Sequence, residues 1–250
     1  MALSDTQLDR YARHIILKEI GGQGQEKLLS AHVALIGAGG IGSPAIQYLA
    51  AAGVGRLTLI DDDRVSLSNL QRQTLFGTAD IDRPKVEMAA DAIGRLNPDV
   101  ALTLKQTRIT ADNAETLLGG ADVVLDGCDN FATRLAVADA CLKLRIPLVS
   151  AAVGQFEGQL ATYRGWEADK PCYRCFVGHD PDRPDISCAD QGVLGALTGV
   201  IGSLAALESI RAITGFGTDS AGKLLLIDAL SLRFRTLALP KDPGCPSCAA

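Results

Sequence analysis

The sequence predicts an α/β protein with a doubly wound, mostly parallel sheet, extended toward the C-terminus by antiparallel strands. Up to about residue 150, short β-rich runs alternate with longer runs of helical spacing, which is typical of parallel sheets covered by helices. From about residue 155 the strand-like runs change character and resemble antiparallel strands. A glycine-rich turn after the first run adds a third indication of the doubly wound class.

The N-terminal segment, residues 1–22, predicts one helix. Ser4 is a suitable N-cap, Gln7 completes a capping box, and Gly21 is a plausible stop. The segment lacks the basic start, long apolar region and cleavage site of a secretory signal. We therefore expect no leader peptide and a cytoplasmic location.

The following elements predict a nucleotide-binding core over 30–150. Helical spacing occupies 43–52, 84–96 and 130–144. Five runs between these helices predict buried strands: HVALIG, RLTLID, VALTL, ADVVLD and IPLVS.

The remainder, 151–250, completes one predicted domain that spans 1–250. Its strands are expected in GQLATYR, KLLLID and LRFRTLAL. An uncharged run over 191–207 predicts a buried, closely packed helix, because it is too short and too rich in glycine for a membrane span. The proline- and aspartate-rich stretch over 178–191 predicts an exposed loop.

Composition limits the possible classes of protein. The chain has 250 residues, of which 47% are hydrophobic and 21% charged, so intrinsic disorder is excluded. The net charge is −5 and no basic block is present, which argues against nucleic acid as a partner.

The first strand leads into a glycine-rich loop that predicts a nucleotide site. Gly37, Gly39 and Gly42 match the spacing G-x-G-x-x-G, and Asp61 ends the next strand about twenty residues later. This arrangement is Rossmann-like: glycines allow close approach to a helix N-terminus, and the carboxylate can accept from a ribose hydroxyl. It predicts a nucleotide without identifying which one.

Polar residues after Asp61 offer contacts for phosphates. No Walker A pattern is present, so side chains elsewhere must hold a triphosphate. Asn69, Arg72 and Lys85 follow the second strand within one connecting segment and can lie over the glycine loop. Each residue alone is equally consistent with a solvated surface position.

Two cysteine pairs have the C-x2-C spacing of metal-binding knuckles. The seven cysteines include Cys172, Cys175, Cys245 and Cys248, which form two C-x2-C motifs. Four thiolates suit tetrahedral Zn²⁺, but the two pairs are far apart in sequence, so a redox dithiol or an adventitious pair is the alternative. Cys128 and Cys141 are interpreted as small buried residues.

Several motifs together resemble one family. "GAGGIGS", "LTLIDDDRVSLSNLQRQ", "PKVE", "LDGCDNFATR" and the two cysteine pairs are similar to the enzymes that activate ubiquitin-like proteins. The resemblance extends from "RYARHIIL" to the final "CPSC" and is strongest to the bacterial molybdopterin-synthase and thiamine sulfur-carrier adenylyltransferases.

The resemblance implies an ATP- and magnesium-dependent reaction that joins AMP to the C-terminal glycine of a small sulfur carrier ending in Gly-Gly. It implies a structural zinc at the four cysteines and a homodimer with shared sites. The implied nucleotide and catalytic positions are Gly37, Gly39, Gly40 and Gly42 in the loop, Asp61 on the ribose, Arg72 and Lys85 on the phosphates, Asp129 on magnesium, and Arg13 reaching the neighbouring subunit. Asp63 and Asn69 are also predicted to bind the nucleotide.

The chemistry agrees with the residues present. A carboxylate is already ionised at neutral pH, so its attack on phosphorus needs positioning and charge neutralisation rather than a general base. His14, His32 and His179 lack metal-ligand spacing and are interpreted as structural. Cys188 corresponds to a cysteine linked to sulfur transfer in the thiamine branch, and its chemical role stays open.

Other functions remain to be distinguished. An NAD-dependent oxidoreductase would explain the glycine loop and Asp61 but not the phosphate cluster or the cysteine pairs. A zinc-stabilised binding module without activity is the third alternative. Among carriers, the run "ISCADQGVLGALTGVIGSLAALESI" favours the molybdopterin branch over the thiamine branch. Because the sequence ends two residues after Cys248, we expect a separate protein to donate sulfur.

Overall fold

A computed structural model describes residues 3–178 and 192–249. All described strands join one eight-stranded sheet. The strands are β1 (His32–Ile36), β2 (Arg56–Ile60), β3 (Ala101–Lys105), β4 (Val123–Asp126), β5 (Leu148–Gly154), β6 (Glu157–Tyr163), β7 (Lys223–Asp228) and β8 (Arg233–Ala238). The α-helices are α1 (Asp5–Arg10), α2 (Ala12–Ile15), α3 (Gly21–Ser30), α4 (Gly42–Ala51), α5 (Lys85–Leu96), α6 (Ala114–Leu118), α7 (Phe131–Leu144), α8 (Tyr173–Val177) and α9 (Gly195–Thr214).

The sheet order is β3-β2-β1-β4-β5-β6-β7-β8. Strands β1 to β5 pair in parallel, and β5 to β8 pair in antiparallel fashion. The predicted α/β architecture and its antiparallel extension are therefore confirmed. Strand order reverses between β1 and β4, which is where ligands bind in open sheets of this kind.

Two hydrophobic cores cover the two faces of the sheet. Successive β1 side chains alternate between them: Val33 and Leu35 face the core under α4, α5 and α9, whereas Ala34 and Ile36 face the core under α6 and α7. All four are buried, which explains why the strand has a continuous apolar sequence.

The single helix predicted over 1–22 is wrong in its extent. The capping box of Ser4 and Gln7 forms as predicted, but the first helix ends at Arg10 and a second short one follows Tyr11. Gly21, predicted as a stop, instead begins α3 with a φ of +60°. The break allows the Tyr11 ring to pack against Gly53, where a Cβ atom would lie 2.5 Å from the ring.

One strand is more exposed than its sequence predicts. β3, expected to be buried, is an edge strand with a largely exposed surface, and β8 at the opposite edge is exposed throughout. The helix predicted over 191–207 begins at Gly195 and continues to Thr214. It has the length and apolarity of a membrane span, yet it packs on the sheet through Leu197 and Ile201 and is only partly buried.

Candidate functional site

A cleft of about 280 Å³ opens at the carboxyl ends of β1, β2, β4 and β5. Its walls come from the glycine loop after β1, the acidic segment after β2, residues 107–109 after β3, the loop between β4 and α7, the end of β5, and the start of α9. The lining residues that carry charge or lack a side chain are Gly37, Gly39, Gly40, Asp61, Asp62, Asp63, Arg72, Arg108, Gly127, Asp129 and Arg134.

The glycine loop has three distinct steric requirements. Gly37 adopts a φ of +85°, which disfavours other residues. A Cβ atom on Gly42 would lie 1.9 Å from the carbonyl oxygen of Gly37, so the first turn of α4 closes only with glycine there. A Cβ atom on Gly40 would lie 2.9 Å from Thr198 Oγ1 on α9. Gly42 therefore shapes the loop from behind without lining the cleft.

Replacement of Gly42 by alanine is expected to destabilise the protein by about 3 kcal/mol or more, because the clash involves backbone and cannot relax by rotation of a side chain. Gly94→Ala is the matched control: Gly94 lies within α5 and its added Cβ would contact nothing within 4 Å. That control should stabilise the protein by about 0.5–1 kcal/mol. Urea unfolding of both variants measures the two effects, and equal stability of the two would contradict this account of the loop.

The carboxylate of Asp61 anchors the glycine loop by accepting hydrogen bonds from two backbone amides. Its carboxylate accepts hydrogen bonds from the Ala38 amide at 2.7 Å and from the Asp63 amide at 2.8 Å. Burial raises the pKa of Asp61 above its ordinary value, and the positive charge of Lys85 opposes that rise. The carboxylate thus lies in the cleft wall and holds both the first glycine turn and the acidic segment.

The predicted phosphate-binding residues occupy different positions. Lys85 is buried at the start of α5, and its Nζ lies 2.7 Å from Asp63 Oδ2, a cleft-lining carboxylate. Arg72 lines the cleft and donates to the Ser68 carbonyl at 3.2 Å. Asn69 does not line the cleft, and its carbonyl accepts from the Arg72 amide at 3.0 Å. The structure therefore brings Arg72 to the cleft and Lys85 directly behind it.

The loop between β4 and α7 presents Asp129 to the cleft. Asp129 is exposed and follows Cys128, while Asn130 caps α7 by accepting from the Thr133 amide at 2.8 Å. Beneath this loop the buried side chain of Arg134 lies 3.2 Å from Asp126. Burial opposes the charge of Arg134, but the surrounding negative groups, with Asp126 the largest contributor among them, together raise its pKa above the ordinary value.

Several cleft residues were not predicted from the sequence, among them Arg134, Arg108 and Thr198. Arg134 stands at the end of the motif "LDGCDNFATR", so its spacing from Asp129 was the available signal. Arg108 pairs with Asp62 at 3.1 Å across the cleft mouth, and Thr198 comes from α9. Neither carries a local pattern, because both reach the cleft from elements far away in sequence.

Arg13 does not line the cleft of its own chain. It is exposed on α2. The adjacent Tyr11 is buried, and its hydroxyl accepts from Asn97 Nδ2 at 2.9 Å, so the N-terminal segment is fixed to the core while Arg13 faces outward.

The four cysteines of the two C-x2-C pairs come together. Their Sγ separations are 3.8 Å for Cys172 and Cys175, 3.7 Å for Cys172 and Cys245, and 3.5 Å for Cys175 and Cys248. Sulfur atoms around a tetrahedral Zn²⁺ at about 2.3 Å are separated by about 3.8 Å. The cluster thus has the donor set and spacing for one zinc ion. Cys188 lies outside the described residues.

Comparison with known proteins matches residues 11–247 to the family described as ThiF. The chain belongs to the ThiF family. The sulfur carrier protein ThiS adenylyltransferase of Escherichia coli is 47% identical over 98% of this chain and 97% of its own length. The molybdopterin-synthase adenylyltransferase of E. coli is 43% identical over 98% of both chains. The family resemblance inferred from the motifs is confirmed.

The fold of this ThiF family member is shared by more distant proteins. The crystal structure of E. coli MccB with MccA-N7isoASN superposes with a TM-score of 0.85 at 22% identity, covering 99% of this chain and 76% of that one. The two proteins share the architecture of a mixed parallel and antiparallel sheet. At 22% identity the similarity concerns the fold alone.

Proposed function

We propose that this ThiF family member uses ATP to adenylate the C-terminal glycine carboxylate of a small ubiquitin-like sulfur carrier, with release of pyrophosphate. The observation that carries the proposal is the cleft itself. It places the glycine loop, Asp61, Arg72 and Asp129 at one edge of the sheet. Full-length relatives with this family's sequence are named adenylyltransferases of sulfur carriers.

The residues of the cleft suit this reaction. The carrier carboxylate attacks the α-phosphorus of ATP, the bond to the β-phosphate oxygen breaks, and pyrophosphate leaves as an anion. Arg72 and Lys85 would neutralise the charge that develops on the phosphate oxygens. Asp61 would hold the ribose, while the loop from Gly37 to Gly42 would admit the nucleotide close to the N-terminus of α4.

Magnesium fits the acidic side of the cleft. Asp129 is an exposed carboxylate on the cleft wall, and oxygen donors of this kind suit Mg²⁺. Asp129 would hold the ion, which would supply charge neutralisation to the phosphates. Asp63 would keep Lys85 directed at the same region through its 2.7 Å ion pair.

The antiparallel extension offers a docking surface for the carrier. A groove lined by Phe156, Leu230, Arg233 and neighbouring residues shares Ala152 and Val153 with the nucleotide cleft. Phe156 is 41% exposed and Leu230 is 76% exposed. We assign this groove to the body of the carrier, because its continuity with the cleft allows a C-terminal tail to reach the nucleotide.

Arg13 supports a homodimer as part of the proposal. It faces outward from a segment fixed by Tyr11 and does not line its own cleft. In a homodimer it would enter the partner's cleft and complete the set of positive charges.

The same proposal includes four further points: the carrier belongs to the molybdopterin pathway, a separate protein donates the sulfur, the protein is cytoplasmic, and zinc binds at the four cysteines. The relatives named for ThiS and for molybdopterin synthase differ little in identity, 47% against 43%, so the pathway is a choice for experiment. The S···S distances of 3.5–3.8 Å support zinc over a disulfide at these cysteines.

Carrier-dependent exchange of labelled pyrophosphate into ATP tests the proposal. The purified protein is incubated with the molybdopterin-synthase small subunit, with the thiamine sulfur carrier, or with no carrier, and NAD binding is measured in parallel. Exchange with either carrier supports adenylation, and the faster carrier identifies the pathway. Tight NAD binding with no exchange on either carrier would overturn it.

A further inference from the structure

One buried arginine holds together three segments beside the cleft. The guanidinium of Arg134 lies 3.2 Å from Asp126 Oδ2, and donates to Ser150 Oγ at 3.3 Å and to the Ala151 carbonyl at 2.8 Å. It also donates to the Cys128 carbonyl. Its acceptors thus come from the end of β4, the loop after β4, and β5.

The Arg134–Asp126 pair grips residue 128 from both sides. Asp126 Oδ1 accepts the Cys128 amide at 3.0 Å, while Arg134 donates to the Cys128 carbonyl. Both peptide groups of this residue are therefore fixed by one buried ion pair, in which the Asp126 side chain is 1% exposed and the Arg134 side chain 9% exposed. The next residue is Asp129, which projects into the cleft from a backbone held in this way.

The chemistry of the contacts explains why arginine occupies this position. A guanidinium offers five donors in a rigid fork and can serve four acceptors on different segments at once. A lysine would keep the charge opposite Asp126, but its compact ammonium has three donors and cannot reproduce the fork. The carbonyl of Cys128 would then lose its fixed position.

We propose that Arg134 is a positioning residue that sets the location of Asp129 and thereby the affinity of the cleft for the metal–nucleotide pair. This inference rests on the proposed function, in which Asp129 holds magnesium. Arg134 does not itself act on phosphate in this account. Groups that orient metal ligands in this way are typically worth 10–100-fold in metal affinity.

Arg134→Lys is the central variant, and Arg211→Lys is its control. Arg211 also pairs with a carboxylate, Glu208 at 3.0 Å, and donates to backbone carbonyls, but it does not line the cleft. Mn²⁺ binding in the presence of a non-hydrolysable ATP analogue is followed by electron paramagnetic resonance of the free ion. We expect Arg134→Lys to weaken Mn²⁺ binding about 10-fold or more, and Arg211→Lys to leave it unchanged.

A double-mutant cycle with Asp129→Asn separates positioning from general stability. If Arg134 acts through Asp129, the lysine substitution has no further effect on Mn²⁺ binding once Asp129 has been replaced. Full additivity of the two substitutions, or wild-type Mn²⁺ binding by Arg134→Lys, overturns the inference. If Arg134→Lys does not fold, Ser150→Ala, which removes one guanidinium acceptor, takes its place in the cycle, with a smaller loss that must also vanish beside Asp129→Asn.

The outcome is distinguishable from failure of the proposed reaction. Weakened Mn²⁺ binding by the variant, in a protein that exchanges no pyrophosphate with any carrier, would leave the role of Arg134 intact and refute adenylation. Normal exchange together with normal Mn²⁺ binding in the variant would refute the role of Arg134 and leave adenylation intact. A wild-type protein that binds no Mn²⁺ with the analogue would refute both.

Discussion

Lys85→Met is expected to reduce carrier-dependent pyrophosphate exchange by about 10²-fold or more, the scale for losing one preorganised group that stabilises developing charge. Lys85 is a buried cation directly behind the cleft wall, and its ion pair with the cleft-lining Asp63 places its charge beside the proposed nucleotide site. Methionine fills the buried space with an unbranched apolar side chain and removes the positive charge.

The loss of activity should not arise from unfolding. The Asp63 side chain left behind is 60% exposed, so water can solvate it at little cost. Lys143→Met is the matched control, because Lys143 pairs with Glu115 at the same 2.7 Å but lies on the surface away from the cleft lining. Both variants should remain folded at the assay temperature, and exchange should be lost only in Lys85→Met. Near-normal exchange in Lys85→Met would remove the role assigned to this residue.

Asp61 provides an independent readout of the same variant. Burial raises the pKa of its carboxyl, and Lys85 opposes that rise, so loss of Lys85 should raise the pKa further. A carboxyl whose pKa is raised in the folded state stabilises the fold at low pH, and this stability is lost as the pH rises from the ordinary pKa of aspartate through the folded-state pKa. Because Lys85→Met widens that pH range, the variant should lose stability relative to wild type as the pH rises through it. Carbon-13 NMR titration of the Asp61 carboxyl measures the pKa shift. An unchanged pKa would show that the charge of Lys85 does not act on Asp61.

Local sequence patterns predicted most of the fold. β1 carries apolar residues on both faces because helices cover both sides of the parallel sheet, and this requirement is visible as an uninterrupted apolar run. The glycine loop was predictable for a similar reason: the positive φ of Gly37 and the close contact behind Gly42 each exclude side chains within a few residues of sequence.

The features that sequence patterns missed depend on contacts between distant segments. The break at Tyr11 reflects its packing on Gly53 and its bond with Asn97, neither of which affects the helical pattern of the N-terminal segment. The role of Arg134 depends in the same way on Ser150 and on the backbone of β5. These partners are far from Tyr11 and Arg134 in sequence, so no local pattern around either residue predicts the contacts.

Cys172→Ser is expected to release the proposed zinc ion and to destabilise the protein by about 4 kcal/mol or more, the range associated with loss of a structural metal. A serine hydroxyl stays protonated at neutral pH and replaces one of four thiolates that lie 3.5–3.8 Å apart. Without the metal, the C-terminal segment would be held to the chain before α8 by weaker contacts, such as the hydrogen bonds from Lys241 to the Gly165 and Glu167 carbonyls at 2.9 and 3.0 Å.

Zinc content by atomic absorption and stability by thermal unfolding measure the two effects of Cys172→Ser. Cys141→Ala is the matched control, since Cys141 is a buried cysteine of α7 outside the cluster and its replacement should leave the zinc content unchanged. None of the four clustered cysteines lines the nucleotide cleft, so the serine variant should retain pyrophosphate exchange at temperatures where it remains folded. Unchanged zinc content would refute the metal site, and loss of exchange in the folded variant would give these cysteines a role in the reaction instead of in stability alone.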